Sequence, residues 1–148
     1  MGTTTLRRVG AFVLALLLAV TLGGCGFSAD AGTGNCTVKA NNVHQSTGSP
    51  GFMDAKMQIT CSVSLERLSG TIKLQRRIDG SWVDVPFTSK SRAYENTRAG
   101  KTYVVMTDTY SCRRGVFRSA ARGSGVLDGR PSSSAAWEYG NAVTNPCD

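Results

Sequence analysis

Five cysteines and a single histidine are the side chains in this sequence best suited to covalent or metal chemistry. His44 is followed closely by Ser46 and Asp54, the residue types of an acyl-transfer triad, in which imidazole takes the serine proton and a carboxylate orients the ring. No serine sits in a G-x-S-x-G turn, however, and a triad is defined by geometry and not by closeness in sequence. The plain reading of His44 is a loop histidine near Pro50-Gly51. None of the cysteines falls in a C-x-x-C or Cys/His ligand spacing, so the pattern assigns no metal. Ten scattered acids give no readable glycosidase pair, because separation in sequence does not fix separation in space. The chain therefore reads as a non-enzyme without a cofactor.

Arginine offers a different chemistry, the planar fork that grips phosphate or carboxylate. Arg76, Arg77, Arg113, Arg114, Arg118 and Arg122 are the candidates for an anion or partner surface. Arg114, Arg118 and Arg122 share one parity, so on an unbroken strand they project from one face. The competing reading is a solvated outer face, or a basic strand edge that discourages aggregation. Trp82, Trp137 and Tyr139 could form an aromatic surface, but Trp137 and Tyr139 alternate with Ala136 and Glu138 as core residues do, and are read as core.

The first cysteine belongs to another context. Arg7 and Arg8 precede an uncharged run from Ala11 to Leu22, and Gly23, Gly24 and Cys25 follow. That order is a secretory signal. The run reaches roughly 18 Å as a helix, against a hydrocarbon core of roughly 30 Å, so it is too short to span. Leu22-Gly23-Gly24-Cys25 resembles a bacterial lipobox, in which the cysteine thiol takes a diacylglyceryl group before cleavage. Residues 1–24 are then a lipoprotein signal peptide, and lipidated Cys25 anchors the mature chain on the outer face of the plasma membrane. The alternative is cleavage after Ala31, which would release a soluble secreted protein.

Either cleavage leaves Cys36, Cys61, Cys112 and Cys147. Four well-spaced cysteines in an exported chain imply two disulfides in an oxidising compartment. Pairing Cys36 with Cys61 and Cys112 with Cys147 closes the shortest loops and is preferred. The rival joins Cys61 to Cys112 and Cys36 to Cys147. Residues 25–35, rich in glycine after Cys25, read as a flexible spacer, and residues 36–148 as the folded domain.

The elements that position these residues are strands. Met53, Ala55, Met57, Ile59, Cys61, Val63 and Leu65 alternate with polar residues, the period of a half-buried strand. Ile72, Leu74 and Ile78 continue the pattern, and Asp79-Gly80 before Ser81 to Val85 predicts a hairpin turn. Lys101 to Cys112 predicts a strand with Val104, Met106, Tyr110 and Cys112 on one face. Weaker runs lie at Cys36 to Val43, Gly115 to Arg122 and Ala135 to Val143. With 148 residues, 41% apolar and 18% charged, the chain is globular and large enough for one domain. About seven short strands point to an all-β, immunoglobulin-like antiparallel β-sandwich with two disulfides. Tyr110 two residues before Cys112, with Cys61 upstream, matches the tyrosine corner of such sandwiches. Trp82 comes later than their strand-C tryptophan, so the likeness is one of architecture.

The residues Cys36-Thr37-Val38-Lys39-Ala40, His44-x-Ser46, Pro50-Gly51, Ile59-x-Cys61 and Cys112-Arg113-x-Gly115-x-Phe117 resemble small secreted four-cysteine proteins of actinobacteria. Phe117 stands where those proteins commonly carry tyrosine. The resemblance implies an exported β fold and no catalytic residue.

Lysine and arginine total 17 against 10 acids; without Arg7 and Arg8 the basic count is 15 and the formal charge +5. Such a surplus suits an anionic partner without specifying one. The expected function is a lipoprotein whose sandwich binds an envelope protein or anionic polymer, with no specific nucleic acid. Two further readings are a phage- or prophage-carried lipoprotein that excludes superinfection by blocking a receptor or the passage of DNA, and a secreted enzyme or hydrolase inhibitor.

Overall fold

The computed structural model describes residues 26–29, 34–132 and 135–148. The signal peptide expected at 1–24 and the lipidation expected at Cys25 lie outside them. Among the described residues the strands in chain order are β1 (Gly26–Ala29), β2 (Gly34–Ala40), β3 (His44–Gln45), β4 (Phe52–Asp54), β5 (Lys56–Cys61), β6 (Arg67–Ile78) and β7 (Ser81–Asp84). They continue as β8 (Lys90–Glu95), β9 (Thr102–Met106), β10 (Tyr110–Ser111), β11 (Val116–Leu127), β12 (Arg130–Pro131), β13 (Glu138–Tyr139) and β14 (Val143–Thr144). Every pairing is antiparallel, and the fold is all-β.

One sheet runs β1-β2-β5-β9, and the larger one is built on β11 and β6. Short strands cover both flanks of that central pair: β7 and β8 along β6, and β12, β13 and β14 along β11. A small sheet, β10-β4-β3, completes the set. The two principal sheets form a β-sandwich. Leu68, Ile72, Leu74, Phe117 and Ala121 from the large sheet meet Val38, Met57, Ile59, Cys61 and Val105 from the other, all buried. At Gly70 the sheets approach so closely that a Cβ would lie 2.9 Å from Ile59 Cδ1 and 3.2 Å from Met57 Cε. Both obstacles are ends of flexible side chains. Gly70→Ala is therefore expected to destabilise by only about 1 kcal/mol, measured by urea unfolding; a loss several times larger would mean that the two side chains have no room to turn.

The Asp79-Gly80 turn forms as its sequence predicts. Ile78 pairs with Ser81 across it, and Asp79 and Gly80 take φ of 48° and 81°, the left-handed values a two-residue hairpin turn requires at both positions. The disulfides also follow the shortest-loop preference. Cys36 and Cys61 stand opposite one another on β2 and β5 with Cα atoms 4.0 Å apart. Cys112 joins Cys147 with Cα atoms 6.0 Å apart. Neither bond crosses between the principal sheets, and Cys61 is joined to Cys36, not to Cys112. Tyr110 pairs with Met53 in the small sheet.

Other expectations are corrected. The alternating run from Met53 to Leu65 is not one strand: it breaks at Ala55, with β4 in the small sheet and β5 in the sandwich. Thr107 holds the break, its hydroxyl accepting from Ala55 N at 3.1 Å and its own N–H donating to Ala55 O at 2.9 Å. The predicted strand from Lys101 to Cys112 is likewise split between β9 and β10, and its inward residue is Val105, while Val104 and Met106 are 37% and 50% exposed. Both parities are apolar there, so alternation could not choose a face. Ile78 is exposed near the hairpin tip. From Ala135 to Val143 only β13 and the start of β14 are strand. The spacer expectation for 25–35 is corrected over Gly26–Ala29, which pairs with β2 from Gly34 to Thr37. Edge pairing uses backbone groups alone, so a stretch poor in bulky side chains can still add a strand.

Candidate functional site

A strand of twelve residues presents six to each face. In β6 the even positions from Leu68 to Leu74 point into the core, which leaves Ser69, Thr71, Lys73, Gln75 and Arg77 on the outer face. In β11 the odd positions Phe117 to Gly125 point inward, leaving Arg118, Ala120, Arg122 and Ser124 outside. Pairing then sets these side chains in rows. Arg118 lies opposite Gln75, Ala120 opposite Lys73, and Arg122 opposite Thr71. On the flanks, Asp84 lies opposite Gln75, Trp82 opposite Arg77, and Tyr139 opposite Ala120.

The outer face is consequently a layer of cations and aromatic rings. The Arg118 guanidinium lies over Trp82 at 4.3 Å from the ring centroid and over Tyr139 at 3.8 Å. Lys73 Nζ and Arg122 Cζ both lie over Trp137, at 4.3 and 4.7 Å. Each such contact contributes about 0.5–1 kcal/mol at an exposed site. Trp137 is half-buried and Tyr139 is 45% exposed, so neither is the core residue that its alternation suggests. They cover the outer face of the sheet, where Ala120 is fully buried.

A hydrogen-bonded row crosses three strands. Arg118 Nε donates to Gln75 Oε1 at 2.8 Å, Gln75 Nε2 donates to Asp84 Oδ1 at 2.8 Å, and Lys73 Nζ donates to Asp84 Oδ2 at 2.6 Å. The bond from Lys73 and then that from Gln75 hold the Asp84 carboxyl below the ordinary aspartate range. A lowered native value stabilises the fold above the unfolded aspartate pKa, and this contribution fades as pH falls through the native value. The Asp84 side chain is 55% exposed, so solvent screening keeps the gain small. Among the described residues, Arg77, Arg118 and Arg122 form no ion pair with a carboxylate.

Three of the six candidate arginines, Arg77, Arg118 and Arg122, thus share this face. Arg114 does not join the stripe with Arg118 and Arg122, because β11 begins at Val116, after Gly115 at φ 141°. Arg76 projects to the other side of the sheet, 5.7 Å from the Phe117 ring centroid, and its Nη2 donates to Arg114 O at 2.9 Å. Arg113 lies 5.8 Å from the Tyr110 ring centroid. Lys73 is the cation that arginine spacing misses. Its place beside Trp137 depends on packing across the face, although its odd parity with Arg77 on one alternating strand was a usable signal.

The His44 constellation is only partly assembled. His44 Nε2 lies 3.3 Å from buried Asp54 Oδ1, and His44 Nδ1 lies 3.2 Å from Asn42 O. Among the described residues no hydrogen bond joins Ser46 to His44, and no group of three or more His, Cys, Asp or Glu could hold a metal ion. No protein-family model matches the chain, and no curated protein matches it.

Proposed function

We propose that this chain is a non-enzymatic envelope lipoprotein, anchored through Cys25 on the outer face of a bacterial plasma membrane, whose sandwich binds an anionic envelope component. The observation that carries the binding part is Arg118, set over two aromatic rings with its Nε engaged by Gln75 and no carboxylate partner among the described residues. A guanidinium held in this way has lost much of its conformational freedom before a ligand arrives, which lowers the ordering cost of binding. The lipobox-like Leu22-Gly23-Gly24-Cys25 supports the anchor, and the two disulfides suit an oxidising compartment.

Capture from native envelope by the full chain is expected to fall at least tenfold in Arg118→Glu/Arg122→Glu, with Lys39→Gln on the opposite sheet unchanged. Equal capture by the charge-reversed variant would overturn the binding face. Intact mass of the membrane fraction checks the anchor separately. The expected species begins at Cys25 and carries lipid, whereas an unmodified chain beginning at Gly32 would remove the anchor.

A further inference from the structure

The backbone positions that carry the cations of the outer face are evenly spaced, and the spacing comes from strand register. Arg77 and Lys73 are on β6; Arg118 and Arg122 lie on β11, opposite Gln75 and Thr71. Read along the β6 axis, the order is Arg77, Arg118, Lys73, Arg122, each two residues from the next, alternating between the two strands. At about 3.3–3.4 Å per residue, the Cα positions of successive members are offset along the strand by about 7 Å. The carboxylate hydrogen-bonded within this ladder is Asp84, which partly neutralises Lys73.

We infer that the face takes a linear phosphodiester polymer of a short polyol, laid along β11 with one phosphate to each cation. The inference rests on the anion-binding reading above and specifies its ligand class. Three backbone bonds of an extended chain advance about 3.3–3.6 Å, so the six bonds between phosphorus atoms joined by a three-carbon polyol advance about 7 Å, matching the ladder. Arginine forks suit the two free oxygens of a phosphodiester. Single-stranded nucleic acid has a similar bond count between phosphates, but its non-specific readers offer free aromatic rings on which bases stack. Here Trp82, Trp137 and Tyr139 each already have a cation over the ring. The rings hold the charges in place, and recognition falls to the charges.

The test titrates the full chain with poly(glycerol phosphate), glycerol phosphate monomer and oligothymidylate at several salt concentrations. Four neutralised phosphates give a slope of log affinity against log salt of about −3, from about −0.7 per phosphate. Arg118→Gln/Arg122→Gln is expected to weaken polymer binding at least tenfold and halve that slope. Asp84→Asn, which frees Lys73, should tighten binding severalfold, a gain that a misfolded variant could not produce. Polymer affinity no better than the monomer's, or oligothymidylate binding as tightly, overturns the ligand class. If in addition envelope capture still depends on Arg118 and Arg122, the polymer inference falls and the anionic-partner reading stands. Indifference of both assays to the arginines removes both.

Discussion

Reducing both disulfides is expected to cost the domain about 7 kcal/mol, comparable to the entire stability of a small domain, about 5–15 kcal/mol. The bonds enclose sequence separations of 25 and 35 residues, and in the chain-entropy account each removes about 3.5–4 kcal/mol of freedom from the unfolded chain. Urea unfolding with and without reductant measures the sum, and Cys36→Ser/Cys61→Ser and Cys112→Ser/Cys147→Ser divide it. The bonds differ in native context. Cys36 and Cys61 lie on strands already paired over five positions, whereas Cys147 follows only the two-residue β14. Loss of Cys112–Cys147 should therefore also release the C-terminal segment, visible as fast amide exchange at Asn145, whose N–H donates to Gly115 O. Protection unchanged at Asn145 would show that β14 holds the segment without the bond.

Gly140→Ala is the second large effect, about 3 kcal/mol. A Cβ there would lie 2.5 Å from Ser119 Oγ and 2.8 Å from Asn41 O. These atoms are themselves bonded, the Ser119 hydroxyl donating to the Asn41 carbonyl at 2.6 Å, while Gly140 N donates to Ser119 O at 3.1 Å. The methyl group must break that knot or push backbone. Overpacking costs about 1–3 kcal/mol and a stranded buried polar group about 1–3 more. The contrast with Gly70 is physical: there the obstacles are side-chain tips, here one is main chain. Thermal and urea unfolding check the value, and a cost under 1 kcal/mol would show that β13 can move away from β11. Because Tyr139 adjoins Gly140 and lies against Arg118, the same change is expected to weaken binding at the outer face.

The legible part of this fold is the part set locally. Where only one parity is apolar, as at Met57, Ile59 and Cys61, alternation identified the buried face; Asp79-Gly80 marked its turn because few residues accept two left-handed positions. Where Tyr103 and Val105 compete with Val104 and Met106, the pattern is degenerate, and contact with the opposing sheet decides. The break at Ala55 was invisible because Thr107, 52 residues away, makes it. The candidate site divides along the same line. Parity within β11 united Arg118 with Arg122, but Arg114 fell outside the strand, and the β6–β11 register brought Arg77 and Lys73 into line with them.

Even spacing of the strand positions that bear the cations has a kinetic consequence. A ligand with one charge per step can slip by one repeat and meet an equivalent set of partners, so the bound state is a family of degenerate registers separated by low barriers. Such a face would hold its polymer firmly against detachment yet permit the domain to drift along it, a one-dimensional walk in place of a fixed address.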